Sequence, residues 1–336
     1  MKTILLITTF LIGVICNCNA QEVNLSYDSF LFYNVENLFD TSHSSNTNDK
    51  EYTPQGNRHW NHWKLKKKLI NIYKVIAASA DPEIPSLIGF CEIENREVLN
   101  ALLYETPLFQ QGYKIVHFES PDRRGIDVAL FYKSSKIKIL EKKAISIKNP
   151  NDPSFRTRDI LHIKIQYSNF DTINLYINHW PSRYGGYMQS QHKRLLTSSI
   201  LRAHIDSIQN ANSNANIIIC GDFNDTKENE SIKRLIHMNS LKTVPLSCTD
   251  QRIHGTHKFH NHWNNFDQFL ISTSFEKDSS GIIIRDAEIL SFPFLLSEDK
   301  KYGGIKPNRT FSGYKYLGGF SDHLPIILKF SIPYYE

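Results

Sequence analysis

The sequence predicts an α/β fold built as a single domain. Short runs rich in β-branched and aromatic residues recur along most of the chain, which is typical of strands in packed sheets. Amphipathic helical stretches separate only some of these runs, so the pattern is mixed α/β rather than a regular alternation. No linker rich in proline, glycine or serine divides the chain, and the polar stretch Thr41–Lys50 is interpreted as one mobile surface loop.

The predicted elements follow from these patterns in chain order. In the first helix, aliphatic residues from Leu65 to Ile76 share one face, while the lysines, Lys68 among them, lie elsewhere. The helices are predicted at Asn61–Ser79, Arg96–Tyr104, Tyr187–Gln209 and Glu230–His237. The strands are predicted at Phe30–Asn34, Ser86–Cys91, Tyr113–Phe118, Asp127–Tyr132, Lys136–Ile147, Asp159–Tyr167, Thr172–Asn178, Ile217–Cys220, Phe266–Ser272, Gly281–Leu290 and Leu324–Phe330.

The chain has 336 residues, of which 40% are hydrophobic and 22% charged, an ordinary globular composition with a sizeable core. The formal net charge of +5 suits a polyanionic substrate, although a charge this small is weak support alone.

Residues 1–20 are predicted to be a cleaved secretory signal peptide. Lys2 is followed by the apolar run Ile4–Ile15 and then by Cys18-Asn19-Ala20, with small residues where a signal peptidase cuts. The apolar run is well short of the roughly 20 residues that span a bilayer, so a membrane anchor is disfavoured and no stable membrane insertion is expected. We therefore expect an exported protein, periplasmic or extracellular, with a mature chain of residues 21–336.

Three cysteines remain in the mature chain: Cys91, Cys220 and Cys248. The number is odd, and Cys91 and Cys220 both end apolar runs, so buried free thiols are predicted rather than a disulfide framework.

Polar side chains follow several predicted strands at the point where each strand ends. They include the segments Asn34–Asn37, Glu92–Asn95, Asn178–Trp180 and Gly221–Asp225, and Asp322-His323 precedes the last strand. Because strand ends at one sheet edge converge in space, these side chains can form a cluster of oxygen ligands with histidines nearby. Such a cluster prefers hard cations, Mg²⁺ above all, which points to phosphoryl chemistry.

Seven segments together resemble the endonuclease/exonuclease/phosphatase superfamily of deoxyribonuclease-like, metal-dependent phosphoesterases. In chain order they are FYNVENLFD, GFCEIEN, RRGIDVALFYK, NHWPSR, GDFND, FDQFLIS and GGFSDHLP. GDFN and SDHLP are the most specific, and the resemblance covers nearly the whole mature chain. It implies a four-layer sandwich of two packed mixed β-sheets flanked by helices, with residues 21–336 as one catalytic domain.

The resemblance also implies roles for individual residues. Metal binding falls to Asn34, Glu92 and Asp322, with Mg²⁺ as the expected cofactor and Mn²⁺ or Ca²⁺ as alternatives. Substrate binding falls to Arg124, Asn178 and Asn224, with Arg123 an equally open choice for the phosphate-binding arginine. Catalysis falls to His179 as acid on the leaving side, Asp222 and Asn224 for the attacking water, His323 as general base or phosphate stabiliser, and Asp267, which orients it.

Three acidic residues are left open by the sequence. Glu94 follows Glu92 by two, so on a continuing strand both carboxylates point to the same face and either is a candidate ligand. Glu36 is a ligand or an ordinary surface charge. Glu119 is a guess for the carboxylate that supports His179.

The stretch His254–Trp263 contains four histidines, which raises the question of a zinc site. Its ligand spacing is loose for zinc, and its alternation suits a hairpin that leads into the Asp267 strand, so we predict the hairpin.

The preferred substrate is nucleic acid. The segment Lys301–Phe320 interleaves basic residues with tyrosines, which suits phosphates and bases, although a flexible charged loop explains the same composition. Phe292–Leu296 is the one candidate for an apolar membrane-binding hairpin, and it is short. A phosphatase or sphingomyelinase-like phospholipid phosphodiesterase is the second hypothesis, and a noncatalytic binding module is the third. The sequence indicates no protein partner and does not separate DNA from RNA or endo from exo cleavage.

Overall fold

The computed structural model describes residues 24–236, 240–276 and 281–334, so the predicted signal peptide and His237 lie outside the described residues. Within them, the helices are α1 (His62–Ala78), α2 (Arg96–Tyr104), α3 (Tyr187–Ala211) and α4 (Glu230–Ile236). The strands are β1 (Asn24–Leu38), β2 (Leu87–Ile93), β3 (Tyr113–His117), β4 (Asp127–Lys133), β5 (Ile137–Ile145), β6 (Ile160–Tyr167), β7 (Thr172–His179), β8 (Asn216–Asp222), β9 (Leu241–Thr243), β10 (His257–Phe259), β11 (His262–Asn264), β12 (Asp267–Ser272), β13 (Ile283–Ile289), β14 (Leu296–Glu298), β15 (Ile305–Pro307), β16 (Phe311–Ser312), β17 (Lys315–Tyr316) and β18 (Ile326–Tyr334).

Two sheets of six strands each form the centre of the molecule. The first sheet has the strand order β13-β18-β1-β2-β4-β3, and the second has the order β5-β6-β7-β8-β12-β9. Each sheet is antiparallel except for one parallel pair, β1 with β2 in the first and β7 with β8 in the second. Both sheets are therefore mixed, as the sequence predicts.

The sheets pack face to face. The rings of Phe30 and Phe269, one from each sheet, have centroids 5.7 Å apart. At Gly89 of the first sheet, a Cβ atom would lie 3.4 Å from Ile177 of the opposite sheet. It would also lie 3.2 Å from Phe32 on the neighbouring strand β1, so this position has little room for a side chain. Helices α1 and α2 cover the outside of the first sheet, and α3 and α4 cover the second. The predicted four-layer sandwich is confirmed.

The predicted helices agree closely with the structure. Helix α1 begins after Asn61, whose side chain accepts a hydrogen bond from the Lys64 amide and so caps the first turn. The largest differences are at strand ends: β1 extends on both sides of its predicted range, and β18 begins at Ile326 rather than Leu324. Pro325, which has no N–H to donate to a ladder, separates Leu324 from that strand.

Two stretches differ from their sequence interpretation. Thr41–Lys50 is a loop, but it folds around the buried Asp49 carboxylate, which accepts hydrogen bonds from the Ser44 amide and the Thr47 hydroxyl. Phe292–Leu296 is not an exposed apolar hairpin, because its phenylalanines stack on each other and pack against the core. Cys91 and Cys220 are buried free thiols, as predicted, and Cys248 is also free. No helix among the described residues is long and apolar enough to cross a membrane.

Candidate active site

The polar strand ends meet at one edge of the sandwich. The two parallel pairs, β1 with β2 and β7 with β8, both run toward this edge, and β12 and the loop before β18 begin there. Asp267, the first residue of β12, pairs in register with Asp222, the last residue of β8. Neighbouring strands in a sheet lie about 5 Å apart, so paired end residues become neighbours in the site.

Strands β1 and β2 both leave the regular ladder where they reach the site. Glu36, Asn37 and Glu92 have left-handed backbone conformations, with φ of 51°, 57° and 63°, and the register shifts at both places. Non-glycine residues in this region of φ cost free energy and cluster at functional sites. Here the turn redirects the side chains that follow each strand into the cluster.

The turn at Glu92 separates the two glutamates. The Glu92 carboxylate accepts a hydrogen bond from the Asn37 amide at 2.8 Å, whereas Glu94 accepts one from the Asp40 amide at 2.5 Å. The expectation that both carboxylates share one face is wrong, because the left-handed residue breaks the strand alternation. Glu92 lies in the site and Glu94 lies beside the adjoining loop.

Gly221 allows the end of β8 to pass close to the backbone of β7. A Cβ atom at Gly221 would lie 2.3 Å from the carbonyl oxygen of Asn178, and the residue has φ of 156°. This close approach sets Asp222 in place: its Oδ1 accepts a hydrogen bond from the Asn224 amide, and its Oδ2 accepts one from Asn34 Nδ2 at 3.1 Å. The Asn224 side chain donates to the carbonyl oxygen of Trp180.

Two histidines flank the Asp222 carboxylate. Oδ2 of Asp222 lies 3.7 Å from His179 Nε2 and 3.8 Å from His323 Nε2. His179 Nε2 is also 3.9 Å from a Glu92 oxygen. On its other side, the His323 ring is held by Asp267, with 2.7 Å between Nδ1 and the carboxylate Oδ2. The predicted pairing of His323 with Asp267 is present, and both imidazoles point at one carboxylate.

The two histidines differ in charge. Burial lowers the pKa of His179 well below its ordinary value, and the nearby Arg158 and Arg124 lower it further. Burial also disfavours the charged form of His323, but the carboxylates of Asp267 and Asp222 outweigh it and raise the pKa of His323 well above the ordinary value. The surroundings therefore favour the imidazolium form of His323 and the neutral imidazole form of His179.

The pKa of Asp222 is raised to about 7, because burial disfavours its charged form and the charge of Asp267 adds to that effect. A carboxyl group with this pKa can exchange a proton near neutrality.

A second group of oxygen donors lies beside Glu92. Arg309 contacts Asp322 Oδ2 at 2.9 Å and Glu36 Oε1 at 3.4 Å, so two carboxylates share one guanidinium group. Burial and the charge of Asp322 raise the pKa of Glu36 to about 7. Burial opposes the charged form of Asp322 too, but Arg309 and His323 lower the pKa of Asp322 to about 2. Glu36 is thus a buried site residue and not a surface charge.

These donors fit a hard divalent cation. Asn34, Glu36, Glu92 and Asp322 present carboxylate and amide oxygens with no thiolate, which is the kind of donor set that a hard divalent cation prefers. The shared guanidinium group marks a position between Glu36 and Asp322 where positive charge is stabilised.

Lys68 is a site residue that the sequence analysis placed wrongly on the polar side of α1. Its side chain is buried, and Nζ donates hydrogen bonds to the Thr310 hydroxyl and to the Phe320 carbonyl oxygen, at 2.6 Å for the second. Thr310 in turn donates its amide proton to Glu36 at 2.6 Å. The helical spacing could have revealed Lys68, because it follows Leu65 by three residues and precedes Ile72 by four, on the face of α1 that is buried. The spacing could not reveal its partners, which lie on a loop more than two hundred residues away.

Arg124, and not Arg123, reaches the site. The half-exposed Arg124 guanidinium contacts Glu92 at 3.5 Å and donates to the Asn37 side chain, whereas Arg123 bonds to the Ser154 carbonyl oxygen. Of the two arginines left open by the sequence, Arg124 is the one whose guanidinium group lies beside Glu92.

Asn178 does not face the substrate side. It is fully buried, its amide donates to the Cys220 carbonyl oxygen, and its oxygen accepts from the Trp180 indole. The prediction that Asn178 binds substrate directly is therefore corrected: its side chain supports the end of β8 from within the protein. Side chains alternate along β7, so Asn178 points inward and His179 points toward the site.

Glu119 is also away from His179. It lies 3.8 Å from His117, in a separate cluster that includes Asp127. Within the described part of the chain, His179 Nδ1 has no hydrogen-bond partner.

The histidine-rich stretch forms the predicted hairpin, with His257 and Phe259 of β10 paired to Asn264 and His262 of β11. Across the described ranges, two groups of His, Asp and Glu side chains lie close enough together to hold a metal ion, His117 with Glu119 and Asp127, and Asp222 with Asp267 and His323; neither includes a residue of this hairpin.

Carboxylate and amide oxygens beside two histidines, at one edge of a four-layer sandwich, define a metal-dependent phosphoesterase. The chain belongs to the endonuclease/exonuclease/phosphatase family, whose model matches residues 29–331. This confirms the family predicted from the sequence and makes the protein a phosphoester hydrolase that uses a divalent metal.

Solved structures share the fold at low sequence identity. A mannosyl-6-phosphatase of Bacteroides thetaiotaomicron is 15% identical with a TM-score of 0.57, covering 90% of this chain and 99% of that chain. The human nocturnin catalytic domain with bound sulfate is 15% identical with a TM-score of 0.55, covering 92% and 97%. TDP2 of D. rerio complexed with single-strand DNA product is 15% identical with a TM-score of 0.56, covering 91% and 99%. No curated protein matches the sequence.

Proposed function

We propose that the protein is an exported, Mg²⁺-dependent nuclease that hydrolyses phosphodiester bonds of DNA or RNA. The observation that carries the proposal is the convergence of His179 and His323 on one oxygen of Asp222, at 3.7 and 3.8 Å, beside the oxygen donors of the metal site. A phosphodiester needs a group on each side of phosphorus, one for the incoming water and one for the departing oxygen. The Asp222 carboxylate and the imidazole of His179 beside it supply one group for each side, and the imidazole of His323 faces the same carboxylate.

Asp222 and His323 act on the attacking side. A carboxyl group whose pKa is about 7 accepts a proton from water near neutral pH, so Asp222 is the general base. The charged His323 and Arg124 bind the phosphate oxygens, where negative charge accumulates in the transition state. Asp267 holds the His323 ring through Nδ1, which leaves Nε2 to face the substrate.

His179 acts on the leaving side. Its pKa is low in the free enzyme, but a phosphate anion bound beside it favours the protonated imidazole, because an opposite charge raises a histidine pKa. The protonated ring then donates to the departing oxygen. A divalent cation held by Asn34, Glu36, Glu92 and Asp322 would supply further neutralisation of the phosphate charge.

Positive charge at the mouth of the site favours a polyanionic substrate. Arg124 and Arg309 are both half-exposed and contact Glu92 and Asp322 respectively. Tyr302 and Tyr314 of the Lys301–Phe320 segment are exposed. Cations for phosphates and aromatic faces for bases are the combination that single-stranded nucleic acid requires.

A phosphatase is the second candidate. The phosphatase of B. thetaiotaomicron matches the fold as well as TDP2 does, with TM-scores of 0.57 and 0.56, so the scaffold does not favour either chemistry. A noncatalytic binding module is disfavoured because the predicted metal and proton-transfer residues come together in one site.

The test is hydrolysis by the purified chain of residues 21–336. The substrates are plasmid DNA, RNA, sphingomyelin, a sugar phosphate and bis(p-nitrophenyl) phosphate, each with Mg²⁺ or a chelator. The proposal expects Mg²⁺-dependent cleavage of DNA or RNA, and an inactive His323→Ala variant. Turnover of the sugar phosphate or the lipid with intact nucleic acids would overturn the nuclease proposal and retain the phosphoesterase site.

Export is proposed on the sequence of residues 1–20 alone. Fractionation of expressing cells and N-terminal sequencing test it. We expect a chain that begins at Gln21 outside the cytoplasm; an intact N-terminus in the cytoplasm would contradict it.

A further inference from the structure

Three aromatic rings, those of Phe259, His260 and Tyr302, form a ladder on the His323 side of the site, with the first pair stacked and the second pair tilted by 36°. The rings of Phe259 and His260 have centroids 4.1 Å apart, and the His260 ring lies 4.6 Å from Tyr302. Phe259 is 62% exposed and Tyr302 is 38% exposed. These residues belong to two separate segments: Phe259 and His260 lie at the end of β10 and in the hairpin turn that follows it, and Tyr302 lies in the segment before β15.

The ladder is rigidly supported from beneath. Lys258, between His257 and Phe259 on β10, pairs with Asp299 at 3.0 Å and donates to the Gly303 carbonyl oxygen at 2.6 Å. Both charged side chains are at most 5% exposed. Asp299 also accepts hydrogen bonds from the amides of Lys301 and Tyr302, so one buried ion pair fixes both loops.

The strand that carries Phe259 also reaches the catalytic site. His257 bridges to His323 through the backbone, and their rings lie 4.7 Å apart. Side chains alternate along a strand, so Phe259 lies on the same face of β10 as His257. A strand rises about 3.3 Å per residue, so the Cα atom of Phe259 lies roughly 7 Å along β10 from the Cα atom of His257.

We propose that Phe259, His260 and Tyr302 form a stacking subsite for unpaired nucleobases next to the scissile phosphate, a proposal that rests on the nuclease function. Bases in a duplex have their faces covered, whereas those of a single strand can stack on aromatic side chains. Lys301, whose Nζ lies 4.9 Å from the centre of the Tyr302 ring, adds positive charge for the backbone of the same strand. The enzyme therefore prefers single-stranded segments to duplex.

The first experiment measures kcat/KM of the full mature enzyme on a single-stranded oligonucleotide, on its duplex and on bis(p-nitrophenyl) phosphate. Phe259→Ala and Tyr302→Ala are the test variants, and Phe259→Trp is the conservative variant. Phe170→Ala is the matched control, because Phe170 is 79% exposed in the turn between β6 and β7, at the opposite end of β7 from His179.

Loss of one stacked base lowers affinity roughly ten-fold. For each alanine variant we expect the ratio of kcat/KM for the single strand to kcat/KM for the small diester to fall by about this factor. The fall should come from a higher KM for the single strand, with kcat little changed. Phe259→Trp retains the ratio, and Phe170→Ala has wild-type values throughout.

A second measurement tests stacking directly. A single strand carrying 2-aminopurine is titrated with enzyme in the presence of chelator, which prevents cleavage. We expect quenching of the base fluorescence by the wild type, and weaker quenching by Phe259→Ala at equal occupancy.

The outcomes distinguish this inference from the function on which it rests. If the wild type hydrolyses the small diester but no nucleic acid, the nuclease proposal is overturned and the ladder proposal with it. If the wild type cleaves nucleic acid while the alanine variants retain the ratio and the quenching, the ladder proposal alone is overturned. A docking surface for a protein or a lipid would give this second result.

Discussion

Glu92 and Glu94 are two residues apart on one strand, yet their carboxylates lie in different environments. The left-handed turn at Glu92 directs its side chain toward His179, and Glu94 contacts the Asp40 amide. At the scale of single residues, the site is made by such local departures from regular backbone rather than by residue type alone.

Replacing each glutamate by glutamine tests whether Glu92 lies in the site and Glu94 outside it. We expect Glu92→Gln to lower kcat/KM by at least a hundred-fold, because it removes a charge from the metal donors and a neighbour of His179. Glu94→Gln should stay within a few-fold of the wild type. Comparable losses in both variants, in chains of equal melting temperature, would contradict the placement of Glu92.

Asp267 acts through His323. We expect Asp267→Asn to lower kcat by roughly 10²–10⁴, the range of one proton-transfer or charge-stabilising group, because the amide no longer holds the ring or favours its charge. The pKa of His323, measured by NMR, should fall in the same variant. Asp286→Asn, on the exposed side of β13, is the control and should leave both quantities unchanged. An unchanged His323 pKa in Asp267→Asn would refute this role.

Among the elements, α1 supports the site from outside the sheets. Lys68 extends from this helix to the loop that carries Thr310 and Phe320, and that loop holds Glu36 through the Thr310 amide. The helix thus fixes the loop that contributes Arg309 and leads to Asp322.

Lys68 and Lys67 are adjacent on α1 and form a matched pair for a stability test. We expect Lys68→Met to reduce the free energy of unfolding by about 2–4 kcal/mol. The buried oxygens of Thr310 and Phe320 lose their hydrogen-bond donor, and the buried Glu36 carboxylate loses a nearby positive charge. Lys67→Met, on the exposed side, should change it by less than about 0.5 kcal/mol. Urea denaturation measures both, and equal midpoints would show that the buried ammonium group is dispensable.

For the whole molecule, one contribution to stability at acid pH comes from His162, which is not part of the candidate site. His162 on β6 is buried against Tyr176 and bonds to Asn174, and burial lowers its pKa to about 4. The unfolded chain takes up this proton near pH 6.5 and the folded chain only near pH 4. The unfolded state therefore binds more protons in this window, and the protein loses stability as the pH falls through it.

This contribution reaches at most about 3 kcal/mol below pH 4. We expect His162→Gln, which keeps a hydrogen bond to Asn174 but does not titrate, to have a shallower decline of unfolding free energy between pH 6.5 and 4 than the wild type. Urea titrations at a series of pH values measure the two curves. Parallel curves would mean that His162 takes up its proton at the same pH in the folded and the unfolded chain.

Much of the fold and part of the site could be predicted from local sequence. Strand and helix positions follow from hydrophobic periodicity, and Asn34, Glu92, Asp222 and His323 were found because polar residues end apolar strands. Lys68 and Arg309 were not found as site residues, because each was interpreted within its own helix or loop. Asn178 was placed on the substrate side, although the alternation of β7 turns it inward.

The sequence by itself determined the mixed α/β composition, the family and most of the residues that gather at the candidate site. All of these depend on residue type, spacing and order along the chain. Only the tertiary structure decided that the Glu36 carboxylate is buried in the site and that Arg124 rather than Arg123 reaches it. It also decided that Phe259, His260 and Tyr302 come together in one row of rings. The physical reason is that burial, charge pairing and stacking arise between segments distant in sequence, and no local pattern records which of them meet.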